Sequence, residues 1–284
     1  MPFGLREGFQ VGAGRWGAVA AALVGMSALN APAAHAVDTG IAVTGITVNE
    51  GKPIVIGTAK VVEPSIRYDV HLPAGYSTAD WSRWDERVFL YRGNDPRKAF
   101  RTSGGDAMMR SMVTCYEESA KKARCEGTLH IEANVKWGEV NANADAGIWK
   151  VGVELLLWKP SGGVKADEYE RRALTVSVRR AAKTTIAATP DTVGKGKKVT
   201  VTGKLTRANW DTRKTGAYGA RGVALQFRAV DATAFKTVRT VRTTSAGALS
   251  TTVDASVDGF YRWVYAGDTV TAAATSPAAY VDVR

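Results

Sequence analysis

From Ile41 onward the chain is a succession of short segments in which Val, Thr and Ile alternate with polar residues, each cut off by Gly, Pro, Asp or Asn. Alternation at period two turns every second side chain to one face, the pattern of a strand buried on one side. Helical periodicity is almost wholly missing. The stretch 115–124 is the one place where a turn of helix is expected, inside a loop. Such a chain buries its apolar side chains by stacking antiparallel sheets.

Strands are expected at 41–48, 54–62, 66–72, 87–91, 111–115, 128–135, 148–158 and 174–179. A second series falls at 185–188, 198–206, 223–229, 236–243, 249–255, 261–265 and 279–283. Seven or so strands per series, with turn signals between them, predict an all-β protein of two tandem immunoglobulin-like sandwiches. They would occupy residues 37–180 and 181–284, joined by the short connector Arg180-Ala181-Ala182-Lys183. An internal echo supports the division: Gly51-Lys52-Pro53-Ile54-Val55-Ile56 with Gly196-Lys197-Lys198-Val199-Thr200-Val201. A second pairs Asp145-Ala146-Gly147-Ile148-Trp149-Lys150 with Asp258-Gly259-Phe260-Tyr261-Arg262. An Asp and a Gly before an aromatic-led strand form the kind of corner that starts a penultimate immunoglobulin strand.

The compartment is read from residues 1–36. Arg6 and Arg15 precede an apolar run from Trp16 to Leu29, and Ala34-His35-Ala36 offers small residues where a signal peptidase cuts, so the mature chain is expected to begin at Val37. The run is shorter than the roughly 20 residues a bilayer core demands. The carboxy-terminal Val281-Asp282-Val283-Arg284 carries no apolar tail. The expected product is secreted, extracellular or cell-wall associated, without a transmembrane segment, and monomeric. Two cysteines fit that compartment: Cys115 and Cys125 are expected to form a structural disulfide that clamps one hairpin.

Beyond 181 the residues quoted above continue into a longer pattern. Gly196 to Asp211, Val223-Ala224-Leu225-Gln226-Phe227-Arg228, Lys236-Thr237-Val238 and Asp258-Gly259-Phe260-Tyr261-Arg262-Trp263 together resemble the immunoglobulin-like modules of secreted actinobacterial proteins. The resemblance covers the last 100 or so residues and is weak before them. It implies an extracellular accessory or binding role with no agreed activity, and calcium-binding labels attach to some members. Here Asn141-Ala142-Asn143-Ala144-Asp145 starts like a calcium loop. It then puts Ala146 where the turn glycine belongs and Gly152 where the bidentate glutamate belongs, so Asp145 is a weak calcium candidate at most.

Catalytic chemistry is thinly supplied. His71 and His130 lie in strand-like segments with no Gly-x-Ser-x-Gly elbow, and the obvious acids, Asp85, Glu86, Glu117 and Glu118, stand beside basic residues. No enzyme activity and no cofactor are expected, although a secreted hydrolase is the rival from another class. A protease inhibitor presenting segment 116–124 is a third option.

Charge and aromatics give the positive expectations. The chain carries a net +11. Residues 37–180 hold 21 basic and 19 acidic side chains, whereas 181–284 hold 15 and 7, so the excess is concentrated in the second unit. A field of that sign attracts polyanions and weakens with salt. Lys195, Lys197, Lys198, Arg207, Arg213 and Lys214 are the expected contacts for an anionic cell-wall polymer. Specific nucleic-acid recognition is not expected. Asn209, Trp210, Asp211 and Tyr218 on one loop, and Trp81 and Trp84 on another, are the candidate ligand contacts, since an indole beside amides and carboxylates stacks on a sugar or anchors another extracellular protein; the alternative for Trp210 is a ring folded back to cover the end of the sandwich. Trp137, Trp149, Trp158 and Trp263 are expected in the core.

Overall fold

The first sandwich is assembled from strands that differ widely in length. They are β1 (Ala42–Val48), β2 (Ile54–Ile56), β3 (Val61–Val62), β4 (Ser65–His71), β5 (Trp84–Tyr91), β6 (Ala107–Ser119), β7 (Lys122–Leu129), β8 (Ile131–Glu132), β9 (Gly147–Trp158) and β10 (Val164–Arg180). The second holds β11 (Ala182–Thr189), β12 (Thr192–Val193), β13 (Lys198–Asn209), β14 (Lys214–Ala217), β15 (Gly222–Ala229), β16 (Lys236–Arg242), β17 (Ala248–Asp254), β18 (Gly259–Tyr265), β19 (Ala274–Thr275) and β20 (Ala279–Val283). This computed structural model describes residues 38–59, 61–101, 107–133 and 138–284. The signal-peptide expectation for 1–36 and the core expectation for Trp137 lie outside the described residues. Among those described, the one α-helix is α1 (Pro96–Arg101), and no helix is long and apolar enough to cross a membrane.

The strands of the first sandwich run in the order β1-β4-β7-β6-β5-β9-β10-β2. This reads as one sheet only because β6 belongs to two. Its first residues pair with β5 (Met109 with Phe89), and from Arg110 onward it pairs with β7 instead. The ladder therefore bends from one layer into the other, and the alternating side chains Ile66, Tyr68 and Val70 of β4 meet Val88, Leu90, Trp149, Val151 and Val153 across the interior. The expected strand 54–62 divides in two: β2 joins β10 in parallel, and β3 pairs with β8. The expected helical turn at 115–124 is a β-hairpin. Register aligns Cys115 with Cys125, and the disulfide between them staples two adjacent strands of one layer. Alternation wins over the polar run there because Lys122 and Arg124 point outward onto Asp69 and Glu118, while Ala123 and Cys125 point in.

The second sandwich has one layer of β11, β13, β14 and β17 and a facing layer of β12-β20-β18-β15-β16, with β19 on β18. Val199, Val201 and Leu205 of the first layer pack on Leu225, Tyr261 and Trp263 of the second. The late echo is real in space, since β9 and β18 both lie between a β5- or β15-type strand and the last long strand of their sandwich. The early one is not. Ile54–Ile56 is a three-residue edge strand parallel to β10, whereas Val199 and Val201 belong to a central antiparallel strand. The Gly194–Lys198 segment likewise carries the chain from one layer to the other and closes no hairpin.

The two cores meet at the connector. Antiparallel register sets Ala182 against Arg207, so the end of β13 runs alongside the linker and past it. Ala208 and Trp210 consequently belong to the core of the first sandwich. The described residues, from 38 to 284, form one compact unit.

Candidate functional site

Where β6 departs from β5, the residues 84–88 of β5 lose a neighbour on that side and a wedge opens between the strands. Its walls are Trp81, Trp84, Asp85, Glu86, Val113, Cys115 and Trp158, enclosing a groove of about 480 Å³. A turn closed by Arg83 N–H onto Asp80 O brings Trp81 back over Trp84, with ring centroids 4.6 Å apart and tilted 38°. Trp84 opens strand β5 and is buried, its indole N–H donating to Ser77 O (3.0 Å). Trp81 is 45% exposed and stands at the rim. Trp158, expected in the core, is half-buried and faces the groove from the end of β9.

The two acids of this groove do not form a catalytic pair. Consecutive strand residues point to opposite faces. Asp85 turns outward to Arg87 (2.7 Å), while Glu86 is buried between the layers and accepts the Tyr68 phenol (2.8 Å). The Glu86 carboxylate lies with the two sulfurs of Cys115 and Cys125 in one cluster, but both sulfurs are in the disulfide and offer no thiolate to a metal. Glu118 is held by Lys122 (2.6 Å) and Arg124 (2.7 Å). His130 is half-buried, 3.4 Å from Glu63.

The other candidate residues fare differently. Trp210 was expected on a loop; the segment is a hairpin of β13 and β14, and its indole is fully buried in the first sandwich. The ring N–H donates to Ile56 O (3.3 Å) and Gly57 O (3.1 Å), which leaves no face for a ligand. Asn209 and Asp211 are engaged in the same junction. Asn143 donates its side-chain amide to Asn209 Oδ1 (3.0 Å) and to Asp211 Oδ2, and its backbone N–H to Asp211 Oδ1 (2.8 Å). Its own Oδ1 accepts from Trp210 N–H (3.0 Å) and Arg180 Nη1 (2.5 Å). The Arg180 guanidinium is driven below its usual pKa first by burial and then by the neighbouring charge of Arg207.

Both carboxylate oxygens of Asp145, the calcium candidate, are already engaged. One of its oxygens accepts the N–H groups of Asn141 (2.9 Å) and Ala142 (2.8 Å), and the other takes Arg92 Nη2 (2.8 Å). A guanidinium thus stands where a cation would. The six basic residues expected to act together do not form one patch. Lys195, Lys197 and Lys198 lie at the start of β13 and Arg213 and Lys214 beyond its end, a strand of 12 residues apart, on the order of 35 Å. Lys198 is paired to Asp254 (2.6 Å), and Arg207 lies over the Tyr218 ring at 3.9 Å and donates to Thr271.

Tyr218 is buried rather than presented. Its phenol donates to Asp268 Oδ2 (2.5 Å), which also accepts the Tyr265 phenol (2.8 Å), while Val270 N–H donates to Oδ1 (3.0 Å). Burial, the largest single influence, pushes the Asp268 carboxyl up, but the two phenols and two backbone N–H groups together hold it at about 2 against an ordinary 3.8. A depressed folded-state pKa stabilises above the unfolded value, and the gain disappears as pH falls from about 4 to about 2. The contribution is on the order of 2 kcal/mol, reduced somewhat by partial solvent contact. Urea unfolding from pH 6 to pH 2 is expected to show Asp268→Asn less stable at pH 6 by about that amount and flatter below pH 4. Parallel curves for the two proteins would rule the assignment out.

No protein-family model matches the chain. No curated protein matches it either. Among solved structures it is similar to the D00-D0 domain of Intimin, at 17% identity over 85% of this chain and 98% of that one, with a TM-score of 0.27. It is similar to the Escherichia coli adhesin FdeC at 12% identity, over 87% of this chain and 64% of that one, with a TM-score of 0.30. The fibronectin(III)-like modules of Clostridium thermocellum CbhA align at 10% identity over 84% and 94%, with a TM-score of 0.27. Superpositions this loose carry no inference about activity, and the immunoglobulin-like assignment stands on strand order and register.

Proposed function

We propose that the chain is an extracellular, non-catalytic binding module that is retained at the cell envelope, with the groove of Trp81, Trp84 and Trp158 gripping polysaccharide. The observation that carries the reading is the half-exposed Trp81 seated against Trp84 at the rim of the groove that Trp158 also lines, since an exposed ring face suits the C–H groups of a sugar. A hydrolase has less in its favour, because Asp85 and Glu86 point apart and both already have partners. An inhibitor presenting 116–124 loses its loop, since those residues are laddered into a hairpin. The disulfide supports an oxidising compartment, and residues 1–36 are the proposed export signal. Division into modules at Arg180/Ala181 belongs to the same proposal.

Binding of the full chain to insoluble peptidoglycan and to soluble neutral glycans, in low and high salt, tests this. Trp81→Ala is expected to weaken glycan binding about tenfold, the equivalent of one stacking contact, with little change in stability and little dependence on salt. Equal binding by parent and variant would remove the groove from the account.

A further inference from the structure

Register fixes what the outer face of the β12-β20-β18-β15-β16 layer displays. Val223 and Leu225 of β15 and Tyr261 and Trp263 of β18 are buried in the core, so Gln226, Arg228, Phe260 and Arg262 point the other way. Phe260 is aligned with Arg228 on one side and Tyr280 on the other, and Arg262 with Gln226. Phe235, from the turn between β15 and β16, completes the surface. The Arg262 guanidinium sits 3.9 Å from the Phe235 ring centroid, and Arg228 lies 5.3 Å from the same ring and 4.7 Å from Phe260. Phe260 and Tyr280 are 5.2 Å apart.

The stack holds both guanidiniums in place while using few of their hydrogens. Arg262 donates through Nε to Gln226 Oε1 (2.9 Å) and Arg228 through Nη1 to Ala232 O (2.9 Å). Neither has a carboxylate partner among the described residues. Arg242, exposed on the same face opposite Gly222, has none either. The acids near this surface are Asp231, in the turn beside Ala232, and Asp258 and Asp282, at the Tyr280 end; Asp258 accepts Val283 N–H and Asp282 is paired with Arg284.

We propose that this face binds a flexible phosphate-bearing polymer, with Arg228 and Arg262 each receiving an oxyanion and Arg242 extending the track. A guanidinium fork matches phosphate oxygens in plane, and ring stacking pre-orders it, so less freedom is lost on binding. A polymer is required because a single exposed ion pair is weak, whereas several along one chain release counterions together. Nucleic acid fits less well: guanidiniums already occupy the faces of Phe235 and Phe260 on which bases would stack. A protein partner would want an apolar centre, and here the apolar rings are capped by charge. The inference is independent of the polysaccharide groove, which lies in the other sandwich.

The test is the affinity of the full chain for long-chain inorganic polyphosphate as a function of salt. The Arg228→Gln/Arg262→Gln variant is expected to bind at least tenfold more weakly at low salt, with the slope of log affinity against log salt reduced by about 2. Lys183→Gln/Lys204→Gln, which removes the same charge from the exposed side of the facing layer, is expected to change affinity less than threefold, and Trp81→Ala not at all. Urea midpoints confirm that each variant is folded. Equal losses from the lysine and arginine pairs would reduce the effect to net charge and overturn the assignment. Tighter binding of oligothymidylate or polyglutamate than of polyphosphate would do so too, by naming a different occupant.

Discussion

Trp210→Ala is expected to cost about 3–5 kcal/mol of stability, the range for removing a fully buried indole from a core. The loss should fall on the first sandwich although the residue sits in the turn after a strand of the second, because the ring packs among first-sandwich residues and is fully buried there. Two consequences follow from its bonds. Ile56 O and Gly57 O would lose their indole donor, and the last residues of β13 would lose the anchor that holds Asn209 and Asp211 against Asn143. Trp210→Phe keeps most of the apolar area and drops only the N–H, so it should cost about 1–2 kcal/mol. Urea unfolding followed by near-ultraviolet circular dichroism measures both. A loss below about 1 kcal/mol for the alanine variant, outside the range for a buried tryptophan, would mean that the ring is not seated in that core.

How much of this was legible beforehand depends on how local the physics is. Strand positions were wherever period-two alternation, a property of a few neighbouring residues, holds: Gly147–Trp158 and Gly259–Tyr265 fall within two residues of where the pattern puts them, whereas the polar runs 122–127 and 164–173 become strands only through pairing with β4, β6 and β9. The disulfide partners and their place on one hairpin were legible too, from two cysteines ten apart in a strand-rich chain. What failed was non-local. Nothing in the residues 107–119 announces that β6 changes layers, so the groove that this opens, and the half-exposure of Trp158, could not be read. The six basic residues were grouped by proximity in sequence, and a 12-residue strand separates them in space. For Trp210, the choice of burial over display was recoverable. Once β11 is paired with β13 through Ala182 and Arg207, residue 210 falls opposite 179, just before the connector, where an indole is more useful as a plug than as a platform. For Asp145 the sequence offered a loop of oxygens, but Arg92, which neutralises it, lies 53 residues away.

Gly203→Val is expected to cost about 3 kcal/mol or more, through a clash that no nearby side chain can relieve. Gly203 lies mid-strand in β13, between Ile186 of β11 and Leu249 of β17. A Cβ there would stand 2.4 Å from the carbonyl oxygen of Thr185 and 2.8 Å from Cδ1 and Nε1 of Trp263. The first neighbour is backbone in the adjacent strand. The second is the fully buried indole whose N–H donates to Thr202 O (3.0 Å), so neither can rotate aside. The two layers must separate, or β13 must leave the ladder. Because Trp210 directly follows β13, the damage should not stay in the second sandwich: once β13 is released, the plug leaves the first core and the connector loses its knot at Asn143. The expected result is a single urea transition at lower midpoint, with amide exchange in the first-sandwich strand β9 and in β18 accelerated together. Two separate transitions, with β9 as protected as in the parent, would show that the sandwiches fold independently and that Trp210 couples nothing.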